Sequence, residues 1–429
     1  MQNTIQLKVL PGNRFISRAT MPEALYLYVE LKAIEATQKK DRLPLNISLV
    51  IDRSGSMQGE KMANVKKAVK FVIDNLTPVD YLSIVIYDSQ IDVVSASGPV
   101  SDKQMLHQLV DRIFARNMTN LSGGLLEGYG QVAATRKEGF VNRVLLLTDG
   151  LANQGITDQE KLQTIVQKKV REQRIALSTF GVGADFNELL LTNLAEYGGA
   201  NYYFIDSPEK IPEIFAQELQ GLLAVAAQNT HIEITYPEGQ LEAQSVLGYP
   251  ASIHQGKVEV HFNDLYSLEE KAILLALKSK DIGGDFSYQI RLRYDDVLDV
   301  MDTVEEIQTA TVKLTRNEAR VQTGVDPVAR ENITLFLASD YYEQSVSASE
   351  RKNYEMAKDL IHKAIGLLEL QANTQGLSPR LQELDNRIRN FAKMIDRMKD
   401  MSRFEQKMSM KSSRMMAYSF RKKRDTFSL

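Results

Sequence analysis

The chain contains no cysteine, which excludes disulfide bonds and thiolate metal sites. It also lacks any run of the roughly eighteen consecutive apolar residues that a membrane-spanning helix needs. The N-terminal sequence has no basic segment followed by an apolar one, so no secretory signal is visible. Together these absences predict a soluble, cytoplasmic protein without a membrane span.

A strong charge of one sign is also lacking. The 429 residues carry a formal net charge of −3, and 43% are hydrophobic and 25% charged, as in an ordinary globular protein. So balanced a charge gives no general attraction for nucleic acid or for acidic membranes. The length alone predicts about three domains.

Residues 44–224 alternate apolar runs with segments of helical period. Ile47–Ile51 predicts a buried strand, and Glu60–Asn75 predicts a helix, because its apolar residues recur at three and four positions. The last predicted helix of this block covers Pro212–Ala226. Further strands are predicted over Tyr81–Tyr87, Arg143–Thr148 and Ala176–Val182. Apolar strands separated by helices are typical of a doubly wound α/β fold, in which helices cover both faces of a parallel sheet.

The segments on either side alternate apolar and polar residues, as half-buried antiparallel strands do. Two such strands fall within residues 1–43, and at least four within residues 225–325. An isolated pair of strands is only marginally stable in water. We therefore predict that both flanks build one β-sandwich, into which the α/β domain is inserted.

Residues 326–402 are predicted to be helical. Pro327–Ser345 forms a first helix, and Glu350–Ala372 and Pro379–Met401 each carry apolar residues at helical spacing. Two consecutive helices with such faces predict an antiparallel hairpin.

Residues 403–429 form a basic tail. Eight basic residues and one acidic residue fall between positions 403 and 424. This composition is typical of a disordered end, and equally of an arm that folds on an acidic partner or is phosphorylated. The hydroxyl groups open to a kinase are those of Ser409, Ser412, Ser413, Ser419, Thr426 and Ser428.

The clearest chemical feature is Asp52, Ser54 and Ser56, at the end of the first apolar strand of the α/β block. Strand ends of this kind lie at the carboxyl edge of the sheet, where open α/β folds place their ligands. The same topology brings Thr119, in a loop before a helix, and Asp149, at the end of another strand, to that edge. Hard oxygen donors suit Mg²⁺, Ca²⁺ or Mn²⁺ and suit zinc or copper poorly. We therefore predict a divalent-metal site.

Three hydroxyls and only two carboxylates leave a bound cation with much of its positive charge, so that it attracts an acidic group from outside. A further carboxylate, Asp88, follows Tyr81–Tyr87 near the same predicted edge. It either hydrogen-bonds a metal-bound water or only terminates the strand.

The stretch Leu49-Val50-Ile51-Asp52-Arg53-Ser54-Gly55-Ser56-Met57, with Gly59 and Lys61, resembles the von Willebrand factor A domain and its metal ion-dependent adhesion site. The resemblance covers about residues 44–224 and implies a Rossmann-like fold that holds Mg²⁺, or alternatively Ca²⁺ or Mn²⁺. The family's Asp-x-Ser-x-Ser motif, second-loop Thr and third-loop Asp map onto Asp52, Ser54, Ser56, Thr119 and Asp149. One departure is that Asn117-Met118 precede the threonine, where many members have Gly-Gly, so this loop is expected to differ.

The wider chain is similar to bacterial proteins often labelled calcium-activated chloride channel-like and to inter-alpha-trypsin inhibitor heavy chains. The similarity lies in Phe186-Asn187-Glu188-Leu189-Leu190, Gly198-Gly199 and Tyr202-Tyr203-Phe204-Ile205. A channel function conflicts with the absence of a predicted membrane span. The resemblance also implies protein partners, since similar intracellular bacterial proteins work alongside ATPase chaperones or signalling kinases and phosphatases.

These features favour a metal-dependent protein-binding module, whose cation coordinates an Asp or Glu of a partner. The alternative is an intracellular regulatory or scaffold protein that acts through the helical hairpin and the basic, phosphorylatable tail. An enzyme is disfavoured, because no histidine lies near Ser54 or Ser56 in the sequence to serve as a base. Asp52→Ala is expected to abolish metal binding and leave the fold intact, because the site lies at a surface loop edge.

Overall fold

The computed structural model describes residues 3–35, 42–116, 118–151, 154–298 and 302–422. The chain divides into two compact units. One comprises Ala36–Gln228 with Val297–Met301, and the other comprises Met1–Glu35, Asn229–Asp296 and Asp302–Leu429.

The elements are numbered in chain order. The strands are β1 Ile5–Pro11, β2 Phe15–Ile16, β3 Leu25–Ala33, β4 Leu45–Asp52, β5 Tyr81–Tyr87, β6 Ile91–Pro99, β7 Val141–Thr148, β8 Ala176–Val182, β9 Gly199–Ile205, β10 Val225–Thr235, β11 Leu241–Leu247, β12 Ala251–His254, β13 Lys257–Tyr266, β14 Glu270–Ser279, β15 Phe286–Asp296 and β16 Thr303–Leu314. The helices are α1 Glu60–Asn75, α2 Lys103–Asp111, α3 Leu121–Ala134, α4 Gln159–Gln173, α5 Glu188–Tyr197, α6 Ile211–Leu223, α7 Glu318–Thr323, α8 Pro327–Glu350, α9 Tyr354–Gln375, α10 Pro379–Arg397 and α11 Arg403–Arg421.

The sheet of the α/β unit has the order β6-β5-β4-β7-β8-β9. Its neighbouring strands are parallel except for β6, which pairs antiparallel with β5. β4 and β7 are buried along their whole length, as expected for strands covered by helices on both faces. The chain runs from β4 to β5 on one side and returns to β7 on the other, so the strand order reverses at β4. A crevice at such a reversal is where doubly wound folds bind ligands.

The predicted Rossmann-like α/β fold is confirmed, and α1, β5 and β8 begin and end at the predicted residues. The last helix of this block is shorter than predicted. It ends at Leu223, and Val225 begins β10 instead of continuing the helix. An unbroken apolar run around this junction fits a buried helix and a buried strand equally, so the hydrophobic pattern contains no boundary.

The β-rich unit combines strands from both ends of the α/β block, as predicted. One sheet has the order β1-β3-β14-β11, in which β3 from the N-terminal flank pairs antiparallel with β14 from the other flank. The second sheet has the order β12-β13-β10-β15-β16-β2. β2, β11 and β12 were not predicted from the sequence. β11 and β12 contain one buried residue, Leu241, and lack a regular apolar alternation, and β2 is only two residues long.

The C-terminal helices share an apolar core. Tyr342 of α8 packs against Phe391 of α10 with ring centroids 5.3 Å apart, and residues of α9 and α11 join the same cluster. α8 is longer than predicted and ends at Glu350. α9 starts at Tyr354, because the side chain of Asn353 accepts a hydrogen bond from Met356 N and caps the helix there.

The basic segment is helical over its described residues, and disorder is therefore the wrong reading for residues 403–421. Ser402 and Glu405 form a capping box at the start of α11. The helix packs on α8, and Met416 and Phe420 are buried in the shared core. The basic composition of this segment did not predict an ordered helix, because the burial of the apolar face of α11 depends on packing against α8.

Candidate metal centre

Asp52 is the last residue of β4, and it is fully buried. Its Oδ1 accepts a hydrogen bond of 2.8 Å from Ser54 N, and its Oδ2 accepts one of 2.6 Å from Thr148 Oγ1. The predicted loop-edge site is therefore only partly at the surface, because Ser56 is exposed whereas the Asp52 carboxylate is buried. Thr148 was not predicted, although its place as the last residue of a neighbouring strand was a usable signal.

Burial raises the pKa of Asp52 to about 6, since a carboxylate loses hydration when it leaves water. The hydrogen bonds from Thr148 and Ser54 act in the opposite direction, because they stabilise the charged form. The nearby charge of Asp149 adds a smaller upward contribution.

The two serines connect Asp52 to Asp149. Ser54 Oγ lies 3.1 Å from Ser56 Oγ, and Ser56 Oγ donates a 2.7 Å hydrogen bond to Asp149 Oδ1. The other oxygen of this buried carboxylate contacts Lys61 Nζ, from the first turns of α1. A continuous set of oxygen atoms therefore runs from the end of β4 to the residue after β7.

Thr119 reaches the same edge from the loop before α3. Its side chain is buried, and a Cβ placed on Gly150 would lie 3.5 Å from Thr119 Oγ1 and 4.0 Å from Ser56 Oγ. The absence of a side chain at Gly150 thus leaves open space between the two hydroxyls. The structure places all five predicted site residues at one edge of the sheet.

The chemistry of this donor set fits a hard divalent cation. Ser56 Oγ contacts Asp149 Oδ1, and Gly150 leaves room beside the Thr119 and Ser56 hydroxyls. Within the described residues, no group of three or more His, Asp or Glu side chains is arranged to hold a metal.

Asp88 lies beside the site but is engaged elsewhere. Its Oδ2 is 2.7 Å from Arg116 Nε and 3.0 Å from Arg53 Nε, and its Oδ1 accepts a hydrogen bond from Gln90 N. These contacts disfavour the alternative in which Asp88 binds a metal-bound water. The pairing with Arg116 spans 28 residues, and no motif indicated it.

Three large apolar side chains in the loops near the site residues are exposed. They are Phe114, Met118 and Leu151, whose exposed fractions are 63%, 52% and 56%. Each of these residues belongs to a loop that adjoins a site residue. A groove of about 320 Å³ lies between the start of α1 and the loop after α2, and Met62 and Phe114 are among its lining residues.

Two arginines of the basic segment form ion pairs with glutamates of α8. Arg414 is buried and pairs with Glu350, and Arg421 Nη1 lies 3.4 Å from Glu343. Ser419 is buried and donates to Met415 O, which disfavours its phosphorylation in the folded helix. Ser409, Ser412 and Ser413 are half-buried in α11, and Thr426 and Ser428 lie outside the described residues.

Residues 46–217 match the family model of the von Willebrand factor type A domain, so the chain contains a domain of this class. The uncharacterized protein YfbK of Escherichia coli (strain K12) is 33% identical over 53% of this chain and 39% of its own length. Inter-alpha-trypsin inhibitor heavy chain H3 of Rattus norvegicus is 29% identical over 48% of this chain and 24% of its own length. The chain thus spans well under two thirds of both relatives. The predicted similarity to chloride channel-like proteins has no support among these findings.

A solved structure, von Willebrand factor type A from Catenulispora acidiphila, shares the fold with a TM-score of 0.73. It covers 98% of this chain and 96% of its own length at 15% identity. Domains of this class commonly act as metal-dependent protein–protein interaction modules, and their homologues are generally not enzymes. Among the described residues, every helix falls short of the length and apolar character that crossing a membrane requires.

Proposed function

We propose that this protein binds a partner protein through a divalent cation, with Mg²⁺ as the first candidate, at the carboxyl edge of the α/β sheet. The observation that supports this most directly is the connected set of oxygens from Ser54 through Ser56 to Asp149, which Thr119 joins across the space left by Gly150. The donor set matches the chemistry of Mg²⁺, with Ca²⁺ and Mn²⁺ as alternatives.

Asp52, Ser54, Ser56, Thr119 and Asp149 would hold the cation. When bound, the cation supplies a Lewis-acidic position that accepts a carboxylate from outside. Asp52 is fixed by two hydrogen bonds, and Ser54 N, which supplies one of them, sets the turn after β4. Such fixed ligands reduce the reorganisation that binding requires.

The surroundings support a protein as the ligand. Phe114 and Leu151 expose large apolar surfaces beside the polar site, which matches the pattern of an interface with apolar anchors around a polar contact. A partner would offer an Asp or Glu side chain together with apolar residues. An ATPase chaperone or a signalling kinase or phosphatase remains a candidate class for this partner.

The arrangement lacks the groups of a serine hydrolase. Ser54 contacts Ser56, and Ser56 contacts Asp149, so in the described part of the chain neither hydroxyl reaches a histidine base. A serine activated for attack needs such a base within hydrogen-bond distance. The function proposed here is therefore binding without catalysis.

Mn²⁺ titration by electron paramagnetic resonance tests the site directly, using the full-length wild type, Thr119→Ala and the control Ser101→Ala. Ser101 is an exposed hydroxyl just before α2. We expect wild type and S101A to bind one Mn²⁺ per chain and T119A to bind more weakly. Equal affinity of all three variants, or no binding at all, would contradict the proposed site.

Affinity capture from native lysate then tests the partner. We expect a protein that wild type retains in Mg²⁺ and releases in EDTA, and that T119A does not retain. A partner that remains bound after chelation and to T119A would place the binding surface elsewhere.

A further inference from the structure

Asp88 lies at the centre of a charged cluster beside the candidate site. Its Oδ2 is 2.7 Å from Arg116 Nε and 3.0 Å from Arg53 Nε, and its Oδ1 accepts a 2.6 Å hydrogen bond from Gln90 N. Arg53 also contacts Asp92, and Arg116 Nη2 lies 3.3 Å from the same carboxylate. Asp88 and Arg53 are buried, so this cluster is shielded from the screening that weakens surface ion pairs.

Backbone hydrogen bonds extend from this cluster to both sides of Thr119. Arg116 N donates to Arg53 O at 2.7 Å, and Asn120 N donates to Asp88 O at 2.7 Å. The first bond attaches the loop to the turn after β4, and the second attaches it to the end of β5. Thr119 therefore lies between two anchors that both involve the charged residues.

We propose that Asp88, Arg53 and Arg116 are positioning residues, which hold the Thr119 loop so that its hydroxyl faces the space at Gly150. This inference rests on the proposed metal site. The three residues do not belong to the predicted ligand set, and they act through the loop that carries one member of that set. Hydrogen bonds in which one partner is charged are stronger than those between neutral groups, so such contacts are suited to holding a loop in one conformation.

Arg116 anchors the loop at two points. Its backbone N–H donates to Arg53 O, and its side chain contacts the Asp88 carboxylate, so one residue attaches the loop both to the turn after β4 and to the end of β5.

The test uses the full chain with Asp88→Asn, Arg116→Gln and the control Arg42→Gln. Arg42 makes a comparable pair with Asp80, 2.7 Å apart, before the opposite end of β4. We expect D88N and R116Q to lower Mn²⁺ affinity by about 10- to 100-fold, the usual effect of losing a residue that orients a metal ligand. R42Q should leave Mn²⁺ affinity unchanged.

A second readout needs no metal. Hydrogen–deuterium exchange of the Arg116 and Asn120 amides should accelerate about tenfold or more in metal-free D88N. Their backbone acceptors, Arg53 O and Asp88 O, remain, but the charged carboxylate that holds the Arg53 and Arg116 side chains is lost, so the loop should open more often. The amide of residue 116 should also accelerate in R116Q, whereas R42Q should retain the wild-type rates at both positions. A merely structural role would lower global stability without this local change.

The outcomes separate this inference from the proposed function. Wild-type protein that fails to bind Mn²⁺ would overturn the metal site, while amide exchange would still decide whether the cluster holds the loop. Wild-type Mn²⁺ affinity and exchange rates in both variants would overturn the positioning role. If D88N does not fold, R116Q decides, because Arg116 is about one-third exposed and its loss leaves Asp88 paired with Arg53.

Discussion

Lys61 Nζ contacts Asp149 Oδ2, on the same carboxylate whose other oxygen accepts the hydrogen bond from Ser56. A positive charge from α1 therefore already lies against one of the two carboxylates of the candidate site. The Lys61 side chain is 29% exposed, so water screens part of the effect of its charge. This contact gives the metal-free protein a counter-charge and opposes the approach of a cation.

Lys61→Gln is expected to strengthen Mn²⁺ binding by about two- to fivefold, because it removes a repulsive charge worth roughly 0.4–1 kcal/mol at a partly exposed position. Isothermal titration calorimetry measures the change. Lys70→Gln is the matched control, since Lys70 lies on the same helix and pairs with Asp111 at 2.6 Å instead. Unchanged or weaker binding by K61Q would show that Lys61 does not compete with the cation.

Asp52→Ala is expected to destabilise the fold by about 1–3 kcal/mol, since it leaves Ser54 N and Thr148 Oγ1 without their buried acceptor. Asp52→Asn keeps the size and one acceptor oxygen, so it should lose less stability. Urea unfolding compares the free energies of unfolding of the two variants. Both variants should bind Mn²⁺ more weakly than wild type does. An alanine variant as stable as wild type would contradict this account of the buried carboxylate.

Phe114→Ala is expected to weaken partner binding by about tenfold and to leave Mn²⁺ affinity unchanged, as for an apolar anchor at an interface. Phe404→Ala is the control, because Phe404 has a similar exposure of 66% against 63% and lies in α11 of the other unit. Surface plasmon resonance with the captured partner measures both. If F114A and wild type bind the partner with equal affinity, the Phe114 side chain does not contribute to the interface.

Asp80 links acid pH to the stability of the α/β unit. Burial by itself would raise the pKa of this carboxyl, but hydrogen bonds from Arg42 and from the Leu45 and Thr77 amides hold the pKa below its usual value. A depressed folded-state pKa contributes stability that is fully present above the unfolded-state value of about 3.9. That contribution is lost as the pH falls through the folded-state pKa.

The free energy of unfolding of wild type should therefore fall below about pH 4. Asp80→Asn should be less stable than wild type at pH 7, and the difference should shrink in acid. Urea unfolding between pH 7 and the acid limb measures it. A difference between the two proteins that is constant with pH would show that Asp80 makes no titrating contribution.

Hydrophobic periodicity alone predicted much of the α/β unit. α1 and β5 began and ended where predicted, because their apolar residues follow one period and polar residues or turns bound them. The predicted boundary between α6 and β10 was wrong, because the apolar run at this junction contains no polar or turn-forming residue to mark the end of the helix. The strands β11 and β12, in which only Leu241 is buried, had too few buried residues to show an apolar alternation.

The five candidate ligands follow from the sequence in the same way, because strand ends in a doubly wound fold fall at one edge. Their supporting contacts do not. Thr148 lies 96 residues from its partner Asp52, and Arg116 lies 28 from Asp88. Pairings over such distances have no fixed spacing along the chain.

The fold class and the chemical character of the candidate site can be predicted from local residue type and from position at strand ends. The burial of Asp52, the contact between Lys61 and Asp149 and the packing of the basic segment on α8 as a helix become visible only in the folded structure. Burial, ion pairing and helix packing depend on which distant segments meet. Composition and periodicity describe each segment alone and contain no information on its partner.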